Sequence, residues 1–312
     1  MVTVSVIIPT FNRAHIISRA ILSVLSQTYR DFELIIVDDA SKDGTKEVVR
    51  KFIDPRIRYV SHSEKKGAGA ARNTGIKVAD EESKHIAFLD DDDEWLPTKL
   101  YKQVNMIRKS SVYVGAIYTG VKGFDEEKKP VRVWLPVHHG RIYNNLLEGN
   151  CVGSTSAVLV RREVLDEVGG FDERLPACLD WDMWLRIARS YEFRYIPEVL
   201  YNYYQTETSI SKSTKKKLLA YRIFFPKYKE FFSSRKLRSL CYLRIGKISY
   251  LDGNMRDGRN YISQAFLNNW KNLDCILHMF LGPLGYPLYN RLHLLMRDMK
   301  WLNALRNNIL NY

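Results

Sequence analysis

Four consecutive aspartates, Asp90, Asp91, Asp92 and Asp93, follow the apolar run Ile-Ala-Phe-Leu at residues 86–89 and precede Glu94 and Trp95. Adjacent like charges repel, so stability alone does not account for them. A turn or helix N-terminus ahead of Pro97 would use one or two carboxylates. Four suit a divalent cation better: Mg²⁺ or Mn²⁺ takes hard oxygen ligands, commonly one or two carboxylates completed by substrate phosphates. Asp38 and Asp39 form a second acidic pair, before Ala40-Ser41. They read as a helix cap, or as a nucleoside site in which one carboxylate accepts the N–H of a uracil or guanine.

Three further groups carry chemistry. Pro9, Thr10, Asn12 and Arg13 close the first apolar run with polar groups. Gly67-Ala68-Gly69-Ala70-Ala71-Arg72 approximates the dinucleotide fingerprint, which would make the chain a nicotinamide-dependent oxidoreductase. Arg72 stands where the third glycine belongs, however, and the loop follows the third strand. A small-residue helix start bringing Arg72 towards phosphate fits better. Asp180 precedes an aromatic-rich stretch with Trp181, Asp182 and Trp184. It reads as a helix N-cap, or as a carboxylate beside an apolar acceptor pocket, where partial desolvation raises its pKa towards that of a general base.

These groups need strand ends to hold them. Short apolar runs at residues 4–8, 32–37, 57–60 and 86–89 alternate with helical spacing at Ile17, Ala20, Ile21, Val24 and Leu25, at Val48, Val49, Phe52 and Ile53, and over residues 67–79. That alternation predicts βαβ units and a doubly wound sheet, whose ligands bind beyond the carboxyl ends of the strands. Three of those ends deliver the residues named above. Further along, strands are expected at 112–118, 155–160 and 201–205, and helices at 162–168 and 180–188. After Ser213 the chain reads as helical and basic, with Gly246, Tyr250, Gly253, Gly258, Tyr261 and Ala265 spaced as in one helical hairpin.

Charge divides the chain. Of 48 Lys and Arg and 35 acids, residues 212–312 hold 19 basic and 5 acidic, a net of +14, and leave the preceding part at −1. Two domains follow: 1–212, carrying the acidic strand ends, and 213–312, a basic helical region. No nucleic-acid motif accompanies the basic charge. The apolar, Gly- and Pro-broken stretch 275–289 suits an anionic membrane surface, being too short and interrupted to span one. The four cysteines are scattered without CxxC spacing and read as thiols of a reducing compartment. The first residues lack a positive region ahead of the apolar run, so no secretory signal is expected, and the chain is placed in the cytoplasm, peripheral on the membrane.

Taken in order, "VSVIIPTFNR", "FELIIVDDASKDGT", "GAGAARNTG", "IAFLDDDDEWLPTKL", "RREVLDEVGGFDERLPACLDWDMWLRIA" and "YNYYQTETSIS" resemble a family-2 glycosyltransferase of the GT-A fold, over roughly residues 3–211. The resemblance implies a GT-A doubly wound mixed sheet and an inverting, metal-dependent transfer of sugar from a nucleotide-sugar, UDP-linked or alternatively GDP-linked, to a glycan or lipid-linked hydroxyl. Pro9, Thr10, Asn12 and Arg13 would line the nucleotide pocket and Asp39 would bind the base. Arg72 would lie near the diphosphate. Asp90-Asp91-Asp92 would be the DxD motif, with Asp90 near the ribose or sugar and Asp92 ligating Mn²⁺ or Mg²⁺, Asp90 second. Asp180 would be the general base, and Trp181 and Asp182 would shape the acceptor side. Relatives often carry Glu where Leu179 stands, and Arg and His where Tyr204 and Thr206 stand. A QxxRW element is absent, which argues against a processive synthase. The competing reading from another class is a catalytically silent nucleotide-sugar-binding protein.

Overall fold

The computed structural model describes residues 3–206, 212–293 and 295. The chain divides into two compact units, Met1–Arg174 with Leu179–Glu207, and Leu175–Cys178 with Thr208–Tyr312.

The first unit is a sheet flanked by helices. Its elements are β1 (Val4–Thr10), α1 (Ile17–Leu25), β2 (Phe32–Asp38), α2 (Thr45–Arg50), β3 (Ile57–Ser61), α3 (Ala68–Val78), β4 (His85–Phe88), β5 (Glu94–Trp95), α4 (Lys99–Arg108), β6 (Val114–Phe124), β7 (Pro130–Trp134), α5 (Tyr143–Glu148), β8 (Leu159–Arg161), α6 (Arg162–Val168), α7 (Leu179–Ser190) and β9 (Glu192–Tyr204). The strand order is β3-β2-β1-β4-β8-β6-β9-β5, with β7 on β6. The first four are parallel, and β8 joins β4 antiparallel. The sheet is therefore mixed and doubly wound.

Each residue of β1, β2 and β4 is buried, which explains their nearly continuous apolar sequence: both faces are covered. Helix α3 lies tight against β1. A Cβ on Gly75 would meet Ile7 Cγ2 at 2.4 Å, so only glycine permits that approach.

Three departures from the expected elements have local causes. Residues 155–157 form a 3-10 turn rather than the start of a strand, because the Ser154 hydroxyl accepts from the Ser156 N–H at 3.2 Å and caps the turn. β9 begins nine residues earlier than expected, at Glu192; its alternation is masked by Arg194, Pro197 and Glu198. β5 and β7 were not expected: β5 is two residues long, and β7 is an edge strand with mostly exposed side chains.

The second unit is helical: α8 (Thr214–Lys227), α9 (Arg235–Leu251), α10 (Met255–Asn268) and α11 (Leu273–Leu281). The expected hairpin is formed by α9 and α10. A Cβ on Gly246 would meet Ile262 side-chain atoms at 2.8 Å, and one on Gly258 would meet Tyr250 Cδ1 at 2.2 Å, so these glycines set how closely the two helices pack. Residues 207–211, the end of the YNYYQTETSIS segment, lie outside the described residues.

Candidate active site

The acidic run begins two residues after β4 ends, beyond Leu89, at the carboxyl edge of the parallel strands. Leu89 N–H donates to Ile7 O, which holds the chain in line before it turns, and Asp93 N–H donates to Asp90 O to close the turn. The four carboxylates then meet different neighbours.

Asp90 is gripped on several sides. Arg72 Nη2 lies 2.5 Å from Oδ1, the Thr155 hydroxyl donates to Oδ1 at 3.1 Å, and the Ser154 hydroxyl to Oδ2 at 3.2 Å. Arg72 is buried and leaves from the first turn and a half of α3, as its place in the glycine-rich segment required. Asp91 faces Arg13 Nε at 3.4 Å and the buried Thr10 hydroxyl. Burial, then the charge of Asp92, pushes its pKa up to about 7 despite Arg13. Asp92 is also raised, first by burial and then by the charge of Asp90, with Arg13 and the Thr206 hydroxyl opposing. Asp93 is fully buried, with Oδ2 accepting from Ser156 Oγ at 2.6 Å and its pKa held well above the usual range by burial and its neighbours' charge.

The end of β9 forms the opposite wall. Asn202 Nδ2 and the Tyr204 hydroxyl donate to Glu94 Oε2 at 2.9 and 2.8 Å, and Thr206 Oγ1 lies 3.3 Å from Asp92 Oδ2. Arg19 of α1 donates to Asp92 O at 2.5 Å while its guanidinium lies 3.8 Å from the Tyr204 ring centre, and that ring stacks on Phe124. Below, Trp95 Nε1 donates to Ser156 O, and the buried Lys99 ammonium lies over the Trp95 ring.

The second acidic strand end is arranged otherwise. Asp39 Oδ1 accepts from the Lys66 N–H at 2.7 Å and lies 2.8 Å from His62 Nδ1, and Oδ2 accepts from the Gly67 N–H at 2.8 Å. Burial would raise its pKa, yet these donors together outweigh it and hold the carboxylate below its ordinary value. Asp39 therefore pins the turn into α3 and keeps few lone pairs for a base. The same bonds bear on the dinucleotide alternative: the Lys66 and Gly67 N–H groups that a pyrophosphate would use are directed at Asp39. Asn12, in the left-handed region at φ 54°, accepts from the Lys42 N–H through Oδ1 and donates its own N–H to Ser41 Oγ, so it joins the β1 and β2 ends. Pro9 pairs with Val37 inside the sheet.

Asp180 sits in the first turn of α7. Asn150 Nδ2 donates to Oδ2 at 2.9 Å. Burial pushes its pKa up to about 6; the charge of Asp90 adds to this, and the Trp181 N–H and Arg72 act against it. Asp90, Arg72 and Asp180 thus lie close enough to share one field. Trp181 and Asp182 are tied into the fold: Trp181 Nε1 donates to Leu146 O at 2.7 Å, and Asp182, fully buried, pairs with Arg186 Nε at 3.0 Å. Their influence on an acceptor would pass through the position of α7.

Sequence reasoning missed Asn150, Ser154, Thr155, Ser156, His62 and Arg19. The Gly-Asn-Cys-Val-Gly-Ser-Thr-Ser stretch at 149–156 carried a signal, since small hydroxyl residues before a strand are suited to turns and side-chain bonds.

A divalent cation fits this donor set in one way. Asp93 is committed to Ser156; Asp90 is engaged by Arg72 and two hydroxyls but its side chain stays 29% exposed, and Asp92 presents a carboxylate beside one hydroxyl. Among the described residues, no three or more His, Cys, Asp and Glu are grouped to hold a metal by themselves. The arrangement suits an ion held by Asp92, with Asp90 second, and completed by phosphate oxygens and water.

Comparison with known proteins assigns the family and the fold. Residues 5–169 match the family described as Glycosyl transferase family 2, and residues 133–241 match Glycosyltransferase like family 2. The Escherichia coli UDP-Glc:alpha-D-GlcNAc-diphosphoundecaprenol beta-1,3-glucosyltransferase WfgD is 45% identical over 109 residues, covering 35% of this chain and 42% of that protein. The putative teichuronic acid biosynthesis glycosyltransferase TuaG of Bacillus subtilis is 31% identical over 226 residues, covering 70% of this chain and 87% of TuaG. An uncharacterized glycosyltransferase of Rickettsia felis is 36% identical over 193 residues, which are 60% of this chain and 31% of that one. The chain thus spans less than half the length of two of these relatives. Among solved structures, S. aureus TarS 1-349 in complex with UDP-GlcNAc superposes with a TM-score of 0.62 at 15% identity, over 93% of this chain and 92% of that one. The Pyrobaculum calidifontis mannosyltransferase PcManGT, in complex with GDP-Man and Mn2+, superposes at 0.58 with 19% identity, over 99% and 87%. The chain belongs to glycosyl transferase family 2 and has the GT-A fold.

Proposed function

We propose that this chain transfers a sugar, with inversion, from a nucleoside diphosphate sugar to a hydroxyl of a lipid-linked or glycan acceptor. The observation that carries the reading is the meeting of Asp92, the Arg72–Asp90 pair and a base-like Asp180 at one edge of the sheet. Residues 1–212 would be the catalytic domain.

The residues divide the work. The β1 and β2 ends, with Thr10, Asn12, Arg13 and Asp39, form the nucleotide side. Asp39 acts there mainly by fixing the turn at 66–67. Arg72, held by Asp90, lies where the diphosphate carries its charge. Asp92, with Asp90 second, would hold Mn²⁺ or Mg²⁺, which offsets negative charge on the leaving diphosphate when bound. Asp180 takes the acceptor hydroxyl proton. The acceptor oxygen then forms its bond to the anomeric carbon as the carbon–diphosphate oxygen bond breaks on the opposite face. One displacement gives one inversion, and no covalent nucleophile is needed. A UDP-sugar is favoured by WfgD, which is named for UDP-Glc, and by the TarS complex with UDP-GlcNAc, and a GDP-sugar by the PcManGT complex with GDP-Man. A lipid-linked acceptor is favoured by the diphosphoundecaprenol in the name of WfgD, and such an acceptor would call for work at the cytoplasmic membrane surface.

The test is turnover of a panel of UDP- and GDP-sugars by the purified chain with Mn²⁺ or Mg²⁺, read as release of nucleoside diphosphate. Release slowed by about 10²–10⁴-fold in Asp180→Asn is expected. Binding of the donors with no release from any of them, and no effect of Asp180→Asn, would instead make this a silent nucleotide-sugar-binding protein.

A further inference from the structure

The helical unit contains a helix whose polarity is inverted. On α11, Leu273, Ile276, Leu277 and Phe280 follow the i, i+3, i+4, i+7 spacing of one helical stripe. In a water-soluble helix such a stripe faces the core. Here Leu273 is 79% exposed and Phe280 72% exposed, and Ile276 and Leu277 are half-buried. The opposite side carries Cys275 and His278, and it is that side which is buried. The inward groups are satisfied: His278 Nδ1 lies 2.9 Å from the hydroxyl of buried Tyr289, and Cys275 Sγ lies 3.6 Å from Ser239 Oγ. The packing direction is therefore fixed by real partners, and the apolar stripe is left outside.

The exposed strip continues past the helix. Leu284 and Leu288 are 48% and 43% exposed, and Trp270 stands 63% exposed in the turn before the helix. From Cys275 to Asn290 there is no Lys, Arg, Asp or Glu, in a chain that is 27% charged. Basic residues bracket the strip: the Lys271 ammonium lies 5.2 Å from the Trp270 ring centre, and Arg291 is exposed at the other end. The nearest acid, Asp274, is paired with Lys247 at 3.0 Å.

We infer that the α11 stripe, with Trp270, Leu284 and Leu288, is a membrane-docking surface that lies in the interface of a bilayer bearing anionic lipids. Contiguous exposed apolar area marks an interaction surface. The choice of a bilayer rests on charge complementarity, a basic bracket on a region of net +14 with the adjacent acid neutralised. It also rests on Trp at the edge of the strip, where an amphipathic ring sits at headgroup level. At nine residues, α11 is about 13 Å long, less than half of a hydrocarbon core of about 30 Å, so it lies on the surface rather than crossing it. Among the described residues, no helix is long and apolar enough to cross a membrane. The inference deepens the lipid-linked acceptor reading by naming the surface that brings the enzyme to such an acceptor.

The test is cosedimentation of the full chain with vesicles of phosphatidylcholine alone or with 30% phosphatidylglycerol, alongside melting, light scattering and nucleotide-sugar hydrolysis. Binding to the anionic vesicles is expected. Leu273→Glu with Phe280→Glu should raise the lipid concentration for half-binding at least tenfold, with melting and hydrolysis unchanged. Lys271→Glu with Arg291→Glu should weaken only the anionic preference. A milder pair, Phe280→Ser with Leu284→Ser, serves if the first destabilises the chain. Wild-type binding retained by these variants would overturn the inference. So would a wild type that ignores vesicles, or equal binding to neutral ones. Variants that dissolve an oligomer while still binding vesicles would assign the face to a second copy of the chain. Loss of hydrolysis in the wild type would instead fault the proposed function, since none of these residues is placed in the catalytic unit.

Discussion

Two strand ends in this molecule carry adjacent aspartates, and they have opposite chemistry. At the end of β2, backbone N–H groups and His62 converge on Asp39 and hold its pKa low. After β4, Asp91, Asp92 and Asp93 are buried against one another and held high. The first arrangement is complete and stabilises the fold. The second stays crowded even with Arg13 beside it. Acidic residues alone do not make a cation site; what matters is how many donors the fold has already committed to them.

The comparison can be broken most severely at Asp180, whose pKa Asp90 helps to raise. Asp180→Asn should lower kcat by about 10²–10⁴-fold, the usual worth of a positioned base. In the wild type, the base is active when deprotonated, so kcat/KM should rise with pH through about 6 and level off above it. The pH–rate profile checks both.

Asp92→Ala should cost about 10²–10³-fold in turnover, as loss of an electrostatic contact at the leaving group does. Its melting temperature without metal should hold or rise, because a crowded charge is removed. Asp39→Ala should show the reverse pattern. It removes the shared acceptor of the Lys66 and Gly67 N–H groups, both part-buried hydrogen bonds, so thermal unfolding should shift down. Because the folded-state pKa of Asp39 is depressed, its stabilisation is present above about pH 4, the unfolded value, and is lost only as pH falls below it. The smallest effect is expected at Asn150. Its amide stabilises ionised Asp180, so Asn150→Ala should raise the Asp180 pKa and move the acid limb of the profile to higher pH, by about one unit or less.

The parallel strands were legible because burial on both faces writes a continuous apolar run, and the acidic ends were legible because nothing in a core strand calls for charge. Arg72 could be read from its place one turn into a small-residue helix. The turn at 154–156 was only half legible: its small hydroxyl residues suit a turn, but Ser, Thr and Ser before Val158 and Leu159 also pass for a strand, and the fold alone shows their hydroxyls bound to Asp90, Asp93 and the turn itself. The partners of Asp39 were not legible: two N–H groups about 27 residues on converge on it, a juxtaposition that spacing does not record. The surface-binding character of 275–289 was legible in its composition; the packing of His278 on Tyr289, which turns the α11 stripe outward, was not.

The central claim is that the β4 end, not the β2 end, takes a cation and a diphosphate. Calorimetric titration of UDP and GDP into the purified chain, with and without Mn²⁺, tests it most directly when repeated on Asp92→Asn. Tight binding of one of the two that requires Mn²⁺ and is lost in Asp92→Asn is predicted. Binding that survives both chelation and Asp92→Asn would contradict the account.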